Sequence, residues 1–432
     1  MRSAPRFYSQ CGSGRTGYYI NSRKESAPSA LAVILFAVCL LGASLYCFER
    51  PTAGPDSLVY VSILGRGNQA DFREAARVCD RQVPGPHNGC DPEDSNLSRE
   101  IDSYTSDEFA TFLRFYEVKP LYTWTAQLFH QGIHLPAFVA LRLVSSLSYL
   151  VIGTTLAFWL RNYLSVPAAC LCALLIVALP PVISIGKFLL PDAFSTALML
   201  QVIYIVLYKT RRLGVQLPLL AILPLARPDN ILFMALWGAM LVLRATVSPR
   251  TRVLRLAMFA VGCALLNTVL RQSTHALSYT VLFNHSFISF TRPSTYAQLH
   301  LTLGDYVHSV SVFGVKTVIL YLPLPVLFSV LALADASFWR PMRDLVAVSM
   351  TTVLARLLLF PAQEERYYTW FLVIAAVGAA AAVGGIAESS DSWFGRCTRP
   401  AVTSLSSTRS GAGEAGIRVR PSTRTSNAIL PI

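Results

Sequence analysis

The chain has 432 residues, of which 53% are hydrophobic and 14% charged, against about 25% charged in a soluble domain, so an ordinary soluble domain is excluded. The formal net charge of +13 would suit a nucleic-acid binder, but the basic residues sit beside apolar runs, where they set membrane orientation instead. Those runs are continuous and not alternating, which excludes an outer-membrane barrel and calls for helices, because backbone polar groups in lipid must be paired within their own segment.

Residues 1–28 are polar, basic and rich in Ser and Gly, and are expected to form a cytoplasmic disordered tail. The first apolar run, Ser29–Phe48, is long enough to cross a bilayer and lacks a small-residue cleavage site, so it reads as an anchor and not a removed signal peptide. Further runs follow at Pro136–Leu160, Val166–Ile185, Leu190–Tyr208, Val215–Leu225, Asn230–Leu243, Leu256–Leu270, Val310–Ala334, Leu345–Phe360 and Tyr367–Ile386. Arg227-Pro228-Asp229 separates Val215–Leu225 from Asn230–Leu243, giving either one kinked helix or two short helices at a polar turn. If the amino terminus is inside and each span flips the chain, the inside segments hold 21 of the 37 Lys and Arg. The first outside loop, Glu49–Leu135, holds 13 acidic and 8 basic residues. This asymmetry predicts an all-α polytopic membrane protein of about ten transmembrane helices. Both termini would be cytoplasmic, in a plasma (inner) membrane. The membrane domain would span 29–387, with extracytoplasmic loops at 49–135 and 272–309. A Ser-, Thr-, Gly- and Arg-rich cytoplasmic tail, 388–432, is expected to be disordered.

The first outside loop carries most of the chemistry. It opens with Gly54-Pro55-Asp56-Ser57, a helix start, followed by apolar Leu58, Val59, Val61, Ile63 and Leu64, which predict an interfacial helix. Asp56 and Tyr60 share one face of it. Asp56 fits first a helix-capping role, and alternatively a general base taking a proton from a hydroxyl acceptor. Asp107–Tyr116 reads as an amphipathic helix with Phe109, Phe112, Leu113 and Tyr116 on one side. Lys119 lies among aromatic residues, placed either to meet a lipid phosphate or to snorkel at the membrane edge. Cys79 and Cys90 flank a Pro/Gly-rich turn and could form a disulfide.

The acidic residue after span 1, the Tyr one turn later and the closing Glu117-Val118-Lys119-Pro120-Leu121 together resemble the GT-C class of membrane glycosyltransferases. Bacterial aminoarabinose transferases and polyprenyl-phosphate mannosyltransferases are similar in these features. Their loop commonly closes with Glu-Lys-Pro-Pro-Leu, from which this chain departs by an extra Val and a missing Pro. Arg142, Pro191-Asp192, Arg227-Pro228-Asp229 and Glu365-Arg366-Tyr367-Tyr368 are similar to further family features in order and spacing, over Ser29 to Ile386.

The resemblance implies a glycosyltransferase whose donor is a polyprenyl-phosphate-linked sugar and whose acceptor is a lipid, glycan or protein at the outer membrane face. Asp56 would be the general base, with Asp192 and Tyr60 positioning the acceptor. Lys119, Arg227 and Arg366 would hold the leaving phosphate, whose charge grows in the transition state. One displacement would invert the anomeric carbon. No cofactor and no nucleic acid is expected among the partners, which would include membrane lipids. The bland readings are an Asp192–Lys187 bridge and a self-neutralising Arg227–Asp229 kink, while Arg356 has no evident partner. Irregularly spaced His275, His285, His300 and His308 predict no metal site. Buried charges in spans also fit a transporter or lipid flippase, and the departures at the loop closure fit a non-catalytic scaffold.

Overall fold

The computed structural model describes residues 27–397 apart from 66, 83–100, 102, 211, 246, 290–291, 335–339 and 363. The chain divides into two compact units, Met1–Ala387 and Glu388–Ile432. In the second, the described residues are helical through Cys397, so helix continues past the point where the sequence predicts a disordered tail. The amino-terminal tail, 1–28, lies almost wholly outside the described residues.

The first unit is built from helices α1 (Ala27–Glu49), α2 (Pro55–Leu64), α3 (Gln69–Gln82), α4 (Ser106–Glu117), α5 (Pro120–Gln127), α6 (Ala137–Leu160), α7 (Val166–Val177), α8 (Pro180–Lys187), α9 (Pro191–Tyr208), α10 (Leu213–Ala221), α11 (Leu223–Ala226), α12 (Asn230–Arg244), α13 (Pro249–Ser273), α14 (Tyr279–Phe283), α15 (Leu303–Ser309), α16 (Val315–Tyr321), α17 (Pro323–Ala334), α18 (Arg340–Leu359) and the start of α19 (Thr369–Cys397). Among the described residues there is no β-strand, only a bridge between Thr52 and Phe188. Proline sets much of this segmentation. It opens α2, α5, α7, α8, α9, α11 and α13 within their first two positions, where its missing N–H costs nothing.

Each of the ten expected apolar runs folds as helix. The protein is an all-α membrane protein, yet the length of the helices does not by itself give ten crossings. Among the described residues, four helices are long and apolar enough to cross a membrane: Ser29–Glu49, α6, α9 and α13. Two further pairs are bent, α7 with α8 by 67° and Leu303–Tyr321 with Pro323–Leu333 by 63°. The segments Leu213–Ala226, α12 and Thr369–Val383 are shorter apolar helices.

The described part of the first loop is packed. Six of the ten residues of α2 are buried, and its apolar side chains meet α3, α4, α5 and α6 instead of lying free at an interface. A capping box starts α4: the Thr105 hydroxyl accepts from the Glu108 amide at 3.3 Å, and the Glu108 carboxylate accepts from the Thr105 amide at 2.9 Å. Phe72, Phe109 and Phe112 are buried in this small core. Cys79 is disulfide-bonded, and its partner is outside the side chains described.

A larger core joins α1, α6, α7, α8, α9, α12, α18 and α19. At the α1–α6 crossing Gly153 has no room for a side chain, since an added Cβ would stand 2.4 Å from Cδ1 of the buried Leu40. Gly153→Val is therefore expected to destabilise the fold by about 1–3 kcal/mol through overpacking. A lowered midpoint of thermal unfolding in detergent would register it, and an unchanged midpoint would mean α1 is not held at this crossing.

Candidate active site

One backbone link ties the segment before α2 to the segment before α9, and a side chain of α6 holds the latter in place. The Thr52 amide donates to the Lys187 carbonyl at 2.9 Å, and the Ser145 hydroxyl donates to the Phe188 carbonyl at 2.8 Å. Asp56, in the first turn of α2, thereby comes near Asp192, in the first turn of α9. Both carboxylates sit where the partial positive charge of a helix start favours them.

Asp56 accepts from the Tyr116 hydroxyl at 2.8 Å and from Arg366 Nη2 at 3.1 Å. One turn along α2, the buried Tyr60 hydroxyl accepts from Lys119 Nζ at 2.7 Å. The ammonium also lies 5.4 Å from the centre of the Tyr60 ring and 5.6 Å from that of Tyr116. Among the described residues Lys119 has no carboxylate within ion-pair distance. The Tyr60 ring is itself wedged edge-on between Tyr116 and Tyr122, which fixes its hydroxyl.

Asp192 is almost fully buried and pairs with Arg227, while Arg366 Nη1 stands 3.9 Å away on its other oxygen. Arg227 also reaches Asp229, Nε to Oδ1 at 3.1 Å. The second oxygen of Asp229 pairs with Arg356, whose Nη1 donates to the Tyr367 carbonyl at 3.2 Å. Arg366 is bonded on its third side to Glu364. The Tyr367 ring lies beneath three guanidinium groups, at 4.7 Å from Arg227, 4.8 Å from Arg356 and 5.2 Å from Arg366. Asn230 closes the inner side, donating to the Ser195 hydroxyl at 2.8 Å and the Leu223 carbonyl at 3.1 Å. Four carboxylates thus face four cations.

Burial pushes the Asp56 carboxyl up, but Arg366, the Tyr116 hydroxyl and Lys119 more than offset it and hold it below the ordinary carboxylate range. It is ionised at neutral pH. Burial and the neighbouring Arg227 pull the Lys119 ammonium down to about 8, against the opposing pull of Asp192 and Asp56.

A cavity of about 20 Å³ lies at the centre, lined by Asp56, Tyr60, Lys119, Asp192, Arg227 and Arg366, together with Leu190, Pro191 and Tyr367. All six candidate residues of the sequence thus surround one space. That space is about the size of one water, so anything larger can enter only if the walls part.

Other features lie elsewhere. Asp192 is not bridged to Lys187, whose ammonium sits 5.7 Å from the Tyr46 ring. Arg142 closes the end of α1, its Nε donating to the Phe48 carbonyl at 2.8 Å. Arg356 finds in Asp229 the partner missing from its own neighbourhood in sequence. Tyr116 and Glu364 were not singled out as site residues. Tyr116 carries a signal, being seven residues after Phe109 on one helix face, but Glu364 carries none. The His285 ring packs against Phe115, centroids 4.6 Å apart. Asn284, in the sequon Asn284-His285-Ser286, is buried, its amide donating to the Thr280 carbonyl at 2.9 Å, so it is closed to glycosylation. The sequon at Asn96 lies outside the described residues. Among the described residues no three His, Cys, Asp or Glu converge on a metal position.

No family model and no curated protein sequence matches the chain. Among solved structures, the crystal structure of ArnT from Cupriavidus metallidurans in the apo state aligns over 86% of this chain with 18% identity and a TM-score of 0.45. The alignment spans 62% of the length of that protein.

Proposed function

We propose that the protein is a membrane glycosyltransferase that moves a sugar from a polyprenyl-phosphate donor to a lipid, glycan or protein acceptor at the extracytoplasmic face. The observation that carries this reading is the convergence of one ionised, partly accessible carboxylate and three cations on a single cavity. Asp56 takes the proton from the acceptor hydroxyl as its oxygen bonds to the anomeric carbon. The bond from that carbon to the phosphate oxygen breaks, and the electron pair leaves with the polyprenyl phosphate. Lys119, Arg227 and Arg366 receive the growing phosphate charge, with Arg offering its planar fork and Lys a point charge. Asp192 and Tyr60 orient the acceptor, and the single displacement inverts the anomeric carbon.

The Arg366–Asp56 contact gives this scheme an internal order. A donor phosphate on Arg366 competes with Asp56 for the same guanidinium. As that hold weakens, the carboxylate becomes a stronger base, so it is activated when the donor has arrived.

The direct test is incubation of membranes containing the protein with a panel of radiolabelled polyprenyl-phosphate sugars. Label moving into lipid or glycan supports the reading. A donor panel with defined acceptors that yields no transfer counts against it. Bent helices and buried charges also occur in transporters, as α7 with α8 shows here. Uptake of labelled substrate into sealed vesicles without bond cleavage would favour that second reading.

The pH profile is a further expectation. Lys119 must be charged to hold a phosphate, and it loses its proton as pH rises through about 8. On the donor, kcat/KM reports the free enzyme, so it should decline above that pH. Lys119→Arg should carry the plateau to higher pH. A profile flat to pH 10 in the wild type would remove Lys119 from donor binding.

A further inference from the structure

A much larger space opens at the far end of α12, where the chain carries its basic connections around Lys209–Arg212 and Arg244–Arg255. It is a groove of about 1010 Å³ walled by α10, by α12 between Met234 and Arg244, and by α13 between Arg255 and Leu266. The candidate active site is at the amino end of α12 and shares no lining residue with the groove, whose charged mouth at Arg244 is at the other end of that 15-residue helix, roughly 22 Å away at 1.5 Å per residue. Along the groove α12 and α13 touch closely at Gly238, where an added Cβ would stand 2.3 Å from the Phe259 ring.

Three features specify its occupant. The lining is apolar apart from Gln216, Arg244 and Arg255. From Arg255 to Leu266 it follows α13 for roughly 16 Å, about half of a 30 Å hydrocarbon core and so the depth of one leaflet. The mouth is positive: Arg250, Arg252 and Arg255 all lie in the first two turns of α13, an end already positive through the helix dipole, where cations are unfavourable unless an anion joins them. Arg244 is paired with Asp344. Arg255 has no acidic partner among the described residues, and the buried Nε of Arg252 has no hydrogen-bond partner.

We propose that this groove binds one anionic phospholipid, its acyl chain along Gly262 and its phosphate on Arg255. The site is distinct from the cavity at Asp56 and does not depend on the reading given to that cavity. Two glycines allow it to be blocked without disturbing the fold. Gly262 in α13 and Gly214 in α10 both line the groove, and a Cβ at either meets nothing within 4 Å.

The test uses the full chain reconstituted with equal phosphatidylglycerol and phosphatidylcholine, returned to mild detergent and weighed by native mass spectrometry. One phosphatidylglycerol should stay with the wild type. Gly262→Trp should abolish its retention at an unchanged thermal midpoint. Arg255→Gln should reduce it about tenfold, the effect of losing one charge-assisted hydrogen bond. Should Gly262→Trp fail to fold, Gly214→Trp places the same block on the facing wall. Equal retention of the two lipids, retention that survives both Trp variants, or a dimer that either Trp variant dissociates would each overturn the proposal.

Discussion

Asp56→Asn is expected to lower sugar transfer by about 10²–10⁴-fold, the range contributed by a positioned general base. The amide is nearly isosteric, keeps its acceptor oxygen for the Tyr116 hydroxyl, and cannot take a proton. Arg366 loses one carboxylate and retains Glu364 and Asp192, so the thermal midpoint should change little. The informative comparison is turnover at equal protein level with donor affinity measured separately. Loss of turnover with donor binding kept or strengthened would mark Asp56 as the base, because removing its competition frees Arg366 for phosphate. Unchanged turnover would remove Asp56 from the chemistry and favour a non-catalytic scaffold.

Asp192→Ala should have the largest effect on stability. The Asp192 side chain is 3% accessible and that of Arg227 is 9%, so neither can turn to water when its partner is lost. Removing one half of such a pair typically costs about 3–5 kcal/mol, because the other charge stays buried. Here Asp229 still faces Arg227, which places the expected loss near the lower end. Replacing both partners together, Asp192→Leu with Arg227→Met, should recover most of it. Thermal or denaturant unfolding in detergent would show the order, with the double variant above the single one. A single variant as stable as wild type would mean the pair is held open or hydrated. Transfer separates the two roles of Asp192: a refolded but inactive double variant is what a positioning carboxylate and a phosphate-binding arginine predict.

The sequence made the helices legible for a simple reason. Apolar length and the positions of proline are local signals, and they place Ser29–Phe48, Pro136–Leu160 and Leu190–Tyr208 within a few residues of α1, α6 and α9. The break inside Val310–Ala334 was equally local, at Pro323, but a continuous apolar run hides a 63° bend. In α13 the apolar run begins only at Leu256 because hydropathy counts charge as an end, whereas arginine is a good helix former and the helix starts at Pro249. The Thr105-x-x-Glu108 capping box is a local signal of the same kind. Partnership was not legible in the same way. Asp56 and Arg366 are 310 positions apart, and Asp192 and Arg227 are 35 apart. Resemblance and sidedness point to the six residues only one at a time. That α2 would be wrapped by α3 to α6 depends on contacts that no window of sequence contains.

The equality of charge around the cavity has a consequence for how a catalytic cycle would end. A polyprenyl-phosphate sugar is a phosphodiester with one negative charge, whereas the freed monoester approaches two, its second pKa being near 6. On the proposed scheme Asp56 has by then gained a proton, so the surrounding groups carry one more positive charge than before. The extra charge on the product and the extra charge on its container arise together, and they attract. Discharge of the spent carrier is therefore tied to Asp56 giving its proton up to the bulk phase. Until it does, electrostatics favour keeping the product, and turnover would be paced by emptying and not by bond making.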